Sequence, residues 1–180
     1  MDTPSGLQLH VLNLDWSDLG FRYTTQDVWP VLTSADLAQR RLLLEEPDIR
    51  TYDWDHQEVW LSDPAIRRLV QCAADKLLRN AVGQAFVVTL DDDRLYGGLF
   101  YDQGGAAAIR FPVIHALGEP TIVLRIRPAL GYGWAPNEPY LAAQCQAIAN
   151  PRLFARLSQR DLLGSMPGSQ RPLDPWERRP

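Results

Sequence analysis

The sequence predicts an α+β fold, a mainly antiparallel sheet of five to seven strands with helices packed mostly on one face. Three observations lead there. Apolar and polar residues alternate over several short stretches, as half-buried strands require. Most of those stretches are joined by short polar connections of the kind that make antiparallel hairpins. Helices and strands do not alternate one for one, which disfavours a parallel α/β architecture.

Taken in order, Leu7 to Leu14 alternates and places Leu7, Leu9 and Val11 on one face, so it reads as a strand, with His10 of opposite parity and free to face solvent. Thr33-Ser34-Ala35-Asp36 has capping-box spacing and predicts a short helix through about Glu46, stopped by Pro47. Ile49 to Leu61 alternates around a polar turn and reads as a hairpin. Ser62-Asp63-Pro64 couples a capping side chain to proline at the first helical position. The helix it opens carries Ile66, Leu69, Val70, Ala73, Leu77 and Ala81 on one stripe and closes at Gly83.

Strands are expected at Phe86–Leu90, Arg94–Tyr101, Ile109–Ala116 and Thr121–Ile126. Asn137-Glu138-Pro139 restarts helix to about Ala149, and Asn150-Pro151 opens a last helix ending near Gly164. Residues 1–164 are thus expected to form a single globular domain. Residues 165–180 hold four prolines without periodicity and read as a flexible tail whose only docking handle is Trp176.

At 180 residues the chain can bury about two thirds of its unfolded surface. No apolar run approaches the roughly 20 residues of a membrane span, and the N-terminus lacks the basic and apolar regions of a secretory signal, so a cytoplasmic location is expected. The two cysteines, Cys72 and Cys145, read as reduced thiols within helices. Charge is uneven: residues 1–63 carry 12 acids against 4 Arg, while residues 151–180 carry 3 acids against 6 Arg. An acidic front half lacks the basic footprint that nucleic acid requires and suits a basic protein partner.

The densest polar stretch is Tyr52-Asp53-Trp54-Asp55-His56-Gln57-Glu58-Val59-Trp60. Its carboxylates and imidazole supply at most three local ligands, and on a strand Asp53 and Asp55 would point away from His56, so a solvated hairpin tip accounts for them better than a metal centre. Asp91-Asp92-Asp93 lacks the ligand spacing of a Ca²⁺ loop and sits where a hairpin turn is wanted. There is no nucleophile elbow and no Gly-rich phosphate loop; neither a metal nor a cofactor is expected.

Two features resist a purely structural account. Tyr96-Gly97-Gly98-Leu99-Phe100-Tyr101 puts a glycine pair inside a strand, which implies a bulge or the close approach of a backbone or ligand. Gly104 and Gly105 follow, and His115 shares a strand face with Val113. Aromatic residues also crowd the expected turns and loops, at Tyr52, Trp54, Trp60, Tyr101, Tyr132 and Trp134.

The leading expectation is a non-catalytic protein-binding domain, an inhibitor or neutraliser of a basic partner. Its surface would be Asp53, Trp54, Asp55, Glu58, Asp91, Asp92, Asp93 and Trp134. Small acidic α+β domains include the toxin-neutralising immunity proteins of bacteria, an analogy of class without a shared motif. The alternative is a small-molecule enzyme or ligand-binding domain whose pocket is formed by Tyr96, Gly97, Gly98, Tyr101, Gly104, Gly105 and His115. A third is a subunit of a larger assembly, docked by the Arg-rich C-terminal section.

Overall fold

The computed structural model describes residues 6–15, 17–19, 24–35, 41–74, 83–101, 109–117, 123–129 and 139–165. Their strands are β1 (Leu7–Asp15), β2 (Arg41–Glu45), β3 (Ile49–Asp53), β4 (Glu58–Leu61), β5 (Gln84–Leu90), β6 (Asp93–Phe100), β7 (Pro112–Leu117) and β8 (Val123–Pro128). The helices are α1 (Thr25–Ser34), α2 (Asp63–Ala74), α3 (Pro139–Ile148) and α4 (Pro151–Gln159). One eight-stranded sheet runs in the order β2-β1-β5-β6-β7-β8-β4-β3, antiparallel throughout except for the parallel β6–β7 pair. The sheet is therefore mainly antiparallel, but has one strand more than the sequence led us to expect.

The two edge strands are consecutive in the chain. Only the 3₁₀ turn Glu46–Asp48 separates β2 from β3, and four Cα steps reach no further than about 14 Å. The sheet must therefore curl until its edges nearly meet, giving a nearly closed barrel. All eight strands contribute to one apolar cluster, which includes Leu9, Leu44, Tyr52, Val59, Phe86, Tyr96, Ile114 and Leu124. Ala65 and Leu69 of α2 and Leu153 and Leu157 of α4 join it. A second cluster lies on the opposite sheet face, where α1 lays Val28 and Leu32 over Ala85, Val87, Leu99 and Val113. The helices thus serve two separate cores, which corrects the expectation that they cover mostly one face.

The missing strand lies where a helix was expected. Thr33 and Ser34 do not open a helix but close one: their hydroxyls donate back to the carbonyls of Trp29 and Val31, at 2.9 and 3.1 Å. Residues Arg41–Glu45 then pair with β1 and bury Leu43 and Leu44. The preceding helix α1 is hard to read because Pro30 sits inside it. What holds it is the Thr24 cap, whose side chain accepts from Asp27 N, and the burial of Val28 and Leu32. α4 stops at Gln159, short of Gly164, because Leu162 and Gly164 instead bond the backbone of Tyr52 on β3. His10 is also buried and not solvent-facing, within reach of Gln8 and of the Thr89 hydroxyl.

The glycine pair has a packing cause. A Cβ on Gly98 would stand 1.7 Å from the carbonyl oxygen of Pro112, so β7 could not approach in parallel. One on Gly97 would stand 2.5 Å from the carbonyl oxygen of Phe86 and 2.8 Å from Leu32 Cδ1. The bulge predicted as one alternative lies just upstream, at the register shift opposite Val88 and Thr89.

Candidate functional site

The β3–β4 turn is built from its own side chains. Asp53 accepts from the His56 backbone N–H at 3.0 Å and meets His56 Nδ1 at 2.9 Å. Gln57 adopts φ 51°, its amide donates to the Trp54 carbonyl, and its Oε1 accepts from the Tyr52 hydroxyl, both at 2.7 Å. Asp53 is 3% exposed. Asp55, His56 and Gln57 were expected to diverge into solvent, but His56 is drawn onto Asp53 and Gln57 onto Tyr52 and the Trp54 carbonyl, and only Asp55 is exposed.

Strand parity extends this network. Tyr52 and Val59 face the barrel interior, so Asp53 and Glu58 point outward. Register places Asp53 opposite Glu58, Glu58 opposite Arg125, and Arg125 opposite His115. Arg125 binds Glu58 through Nε and Nη2 at 2.8 and 2.6 Å, and Glu58 is 2% exposed. The Tyr101 ring stands edge-on to His115 with centroids 6.0 Å apart. Four of the residues predicted for two unrelated sites, Asp53, Glu58, Tyr101 and His115, therefore fall in one outer row. Because Asp53 and Glu58 are buried and bonded within the fold, neither lies on an accessible acidic rim.

A second ionic network fixes α4. Arg152, Arg156 and Arg160 share its helix stripe at four-residue spacing. Arg156 and Arg160 both bind the buried Glu46, at 2.7 and 2.5 Å, and Glu46 also accepts from Leu7 N. Burial opposes ionisation of Glu46, but Arg156, the Leu7 N–H and Arg160 outweigh it and hold its carboxyl below the ordinary value of 4.5. Arg68 binds Asp48 through two nitrogens. Of the seven acids between residues 45 and 63, only Glu45, Asp55 and Asp63 remain exposed.

The β5–β6 turn differs. Asp91 and Asp92 form a two-residue hairpin loop with φ of 49° and 68°, the signature of a type I′ turn. Asp91, Asp92 and Asp93 are all exposed; Asp91 accepts from Gly6 N, and Asp93 pairs with Arg152 at 2.9 Å.

Sequence reasoning missed one residue beside the first turn. Phe154 of α4 is 43% exposed and stands edge-on to the half-buried Trp54, with ring centroids 5.0 Å apart. Its signal was available: on α4, Leu153 and Leu157 make the buried stripe, and Phe154 falls off it. The Tyr96 side chain enters the barrel core, edge-on to Phe86. Burial pushes its phenol far above the usual range, which the nearby Tyr52 hydroxyl offsets only in part. Tyr96 and Gly97 both line a pocket of about 170 Å³ between α1 and β6.

Trp134, Gly104 and Gly105 lie outside the described residues, as do the expected helical turn to Ala81 and the tail beyond residue 165. Cys145 is half-buried. Among the described residues no group of three or more His, Cys, Asp or Glu is placed to hold a metal ion, and no helix is long and apolar enough to cross a membrane. Compared with known proteins, the chain matches no family model, no curated protein and no solved structure.

Proposed function

We propose that the chain is a non-catalytic protein-binding domain that inhibits or neutralises a basic protein partner. The observation that carries this reading is the aromatic pair Trp54–Phe154, partly open to solvent beside the exposed Asp55. An aromatic held against a second ring loses little freedom on binding and supplies a large apolar contact, the usual make-up of an interface hot spot.

Surface charge supports the choice of partner. Among the described residues the exposed acids are Asp15, Asp18, Asp27, Glu45, Asp55, Asp63, Asp91, Asp92, Asp93 and Asp161. The exposed bases are Arg50, Arg67, Arg68, Arg152 and Arg160, and the last three already hold Asp48, Asp93 and Glu46. The surface that remains is acidic and would steer a basic partner.

The test begins with affinity capture from the native cell and mass spectrometry, followed by kinetics on the captured partner. Phe154→Ala is expected to speed dissociation roughly 30-fold, as loss of a 2 kcal/mol hot spot does. Asp55→Asn is expected to slow association, and less so as added salt shortens the screening length from about 8 Å at 0.15 M. Unchanged rates in both variants would remove this surface from the interface and leave the reading without its main support.

A further inference from the structure

We infer that the pocket between α1 and β6 is a binding site for a small neutral ring compound of the phenol class. It is lined by Val28, Trp29 and Leu32 of α1, Leu95 and Gly97 of β6, and Phe111, with Thr25 and Ala147 beside them. Its volume of about 170 Å³ is close to that of the apolar cavity, about 150 Å³, that binds benzene in an engineered protein.

Apolar space of this size normally collapses unless its walls are held apart. Here the covering helix is held at both ends. At its start, Thr25 N and the Thr25 hydroxyl both donate to the carbonyl of Arg110, at 3.2 and 3.3 Å. At its end, the Arg94 guanidinium reaches across from β6 to the carbonyls of Leu32 and Ala35. Hydrogen bonds at both ends therefore add to the packing of Val28 and Leu32 in fixing the helix, and the pocket lies alongside that packing between α1 and β6. Below it Gly97 contributes no side chain, and Leu32 packs directly over the strand backbone there.

The lining also selects a ligand. Its walls are aliphatic and aromatic, and among the described residues no Asp, Glu, Lys, Arg or His belongs to them, so a charged compound would lose its hydration without compensation from these side chains. The Thr25 hydroxyl uses its proton on Arg110 and keeps lone pairs that accept from one ligand hydroxyl. Tyr96 also belongs to the lining, and its ring packs edge-on to Phe86. A single ring bearing one O–H donor satisfies size, polarity and hydrogen bonding together. This site is separate from the Trp54–Phe154 surface and does not depend on it.

The probes are phenol and toluene, equal in size and differing in the hydroxyl. Phenol at about ten times its dissociation constant is expected to raise the melting temperature by roughly 3–5 °C. Ala147→Phe, which fills the pocket from its rim, is expected to abolish that shift. Thr25→Val keeps the backbone bond to Arg110 and is expected to weaken phenol about tenfold more than it weakens toluene. In methyl NMR, phenol is expected to move Val28, Leu32, Leu95 and Ala147 and to spare Leu7, Val59 and Leu153, which line a smaller interior cavity. The inference falls if phenol produces no shift, or if the moved methyls are those of the interior cavity. The methyl map is recorded on the unmodified chain, so it decides between these outcomes even where Ala147→Phe fails to fold.

Discussion

The two acidic hairpin turns look alike in the sequence and behave oppositely in the fold. Tyr52–Trp60 binds its polar groups to one another and to Arg125 and exposes only Asp55, whereas Asp91–Asp93 leaves all three carboxylates exposed. Parity makes the difference. Asp53 and Glu58 are strand residues beside the turn, fixed in register with neighbouring strands, while Asp91 and Asp92 are the turn itself. Formal charge on a chain is therefore a poor guide to charge on a surface until each acid has been placed against its neighbours: Asp93 is a strand residue and exposed, whereas Glu46 and Asp48 lie in a turn and are buried.

Breaking the inward network is expected to produce the largest effect. Arg125→Met leaves Glu58 buried beside an apolar side chain and is expected to cost about 3–5 kcal/mol in denaturant unfolding. The double variant Glu58→Leu/Arg125→Met should recover most of that loss, since no buried charge is then stranded. Equal damage in the double and single variants would show that packing, and not charge, dominates the row.

His56→Ala removes a bond to a buried carboxylate and is expected to cost about 1.5–3 kcal/mol. A solvated tip would have predicted almost no effect, so this variant separates the two accounts of the turn directly.

Glu46 adds a pH arm. Its folded pKa is depressed, so its contribution is complete above the ordinary value of 4.5 and is lost as pH falls through the folded value. Glu46→Gln should consequently lower stability at pH 7 and flatten the decline below pH 4.5. An unaltered acid limb would mean that Arg156 and Arg160 do not hold this carboxylate in solution.

The outward turn should respond least and in the opposite sense. Asp92→Gly puts the residue that a type I′ turn prefers at φ 68° and is expected to stabilise by up to about 1 kcal/mol. Asp55→Asn should change stability by less than about 0.5 kcal/mol, which reserves it for the binding experiment.

Much of the fold was legible wherever local chemistry and long-range packing agree. Ser62-Asp63-Pro64 and Asn150-Pro151 mark helix starts because cap and proline act within one turn, and the Ile49–Leu61 hairpin is found at β3 and β4. β2 was missed because the run Leu42-Leu43-Leu44 has no period; only pairing with β1 makes it a strand. α1 was missed because Pro30 argues locally against a helix that tertiary burial supports. At the candidate site Trp54 was legible as an aromatic beside a turn. Phe154 was legible as an apolar residue off the buried stripe of α4, but its contact with Trp54 was not, because one hundred residues of chain separate them.

The bonds from Arg156 and Arg160 to Glu46 span 110 and 114 residues, which bears on how the chain leaves the ribosome. At 5–20 residues per second, Glu46 emerges roughly 5–20 s before the helix that neutralises it. During that interval β2 and β3 exist without the element that locks them, and their carboxylate keeps the nascent edge charged. An ionised group beside an unpaired strand edge discourages association with neighbouring chains. The residue that later anchors α4 is thus expected to hold aggregation of the unfinished barrel in check until that helix is made.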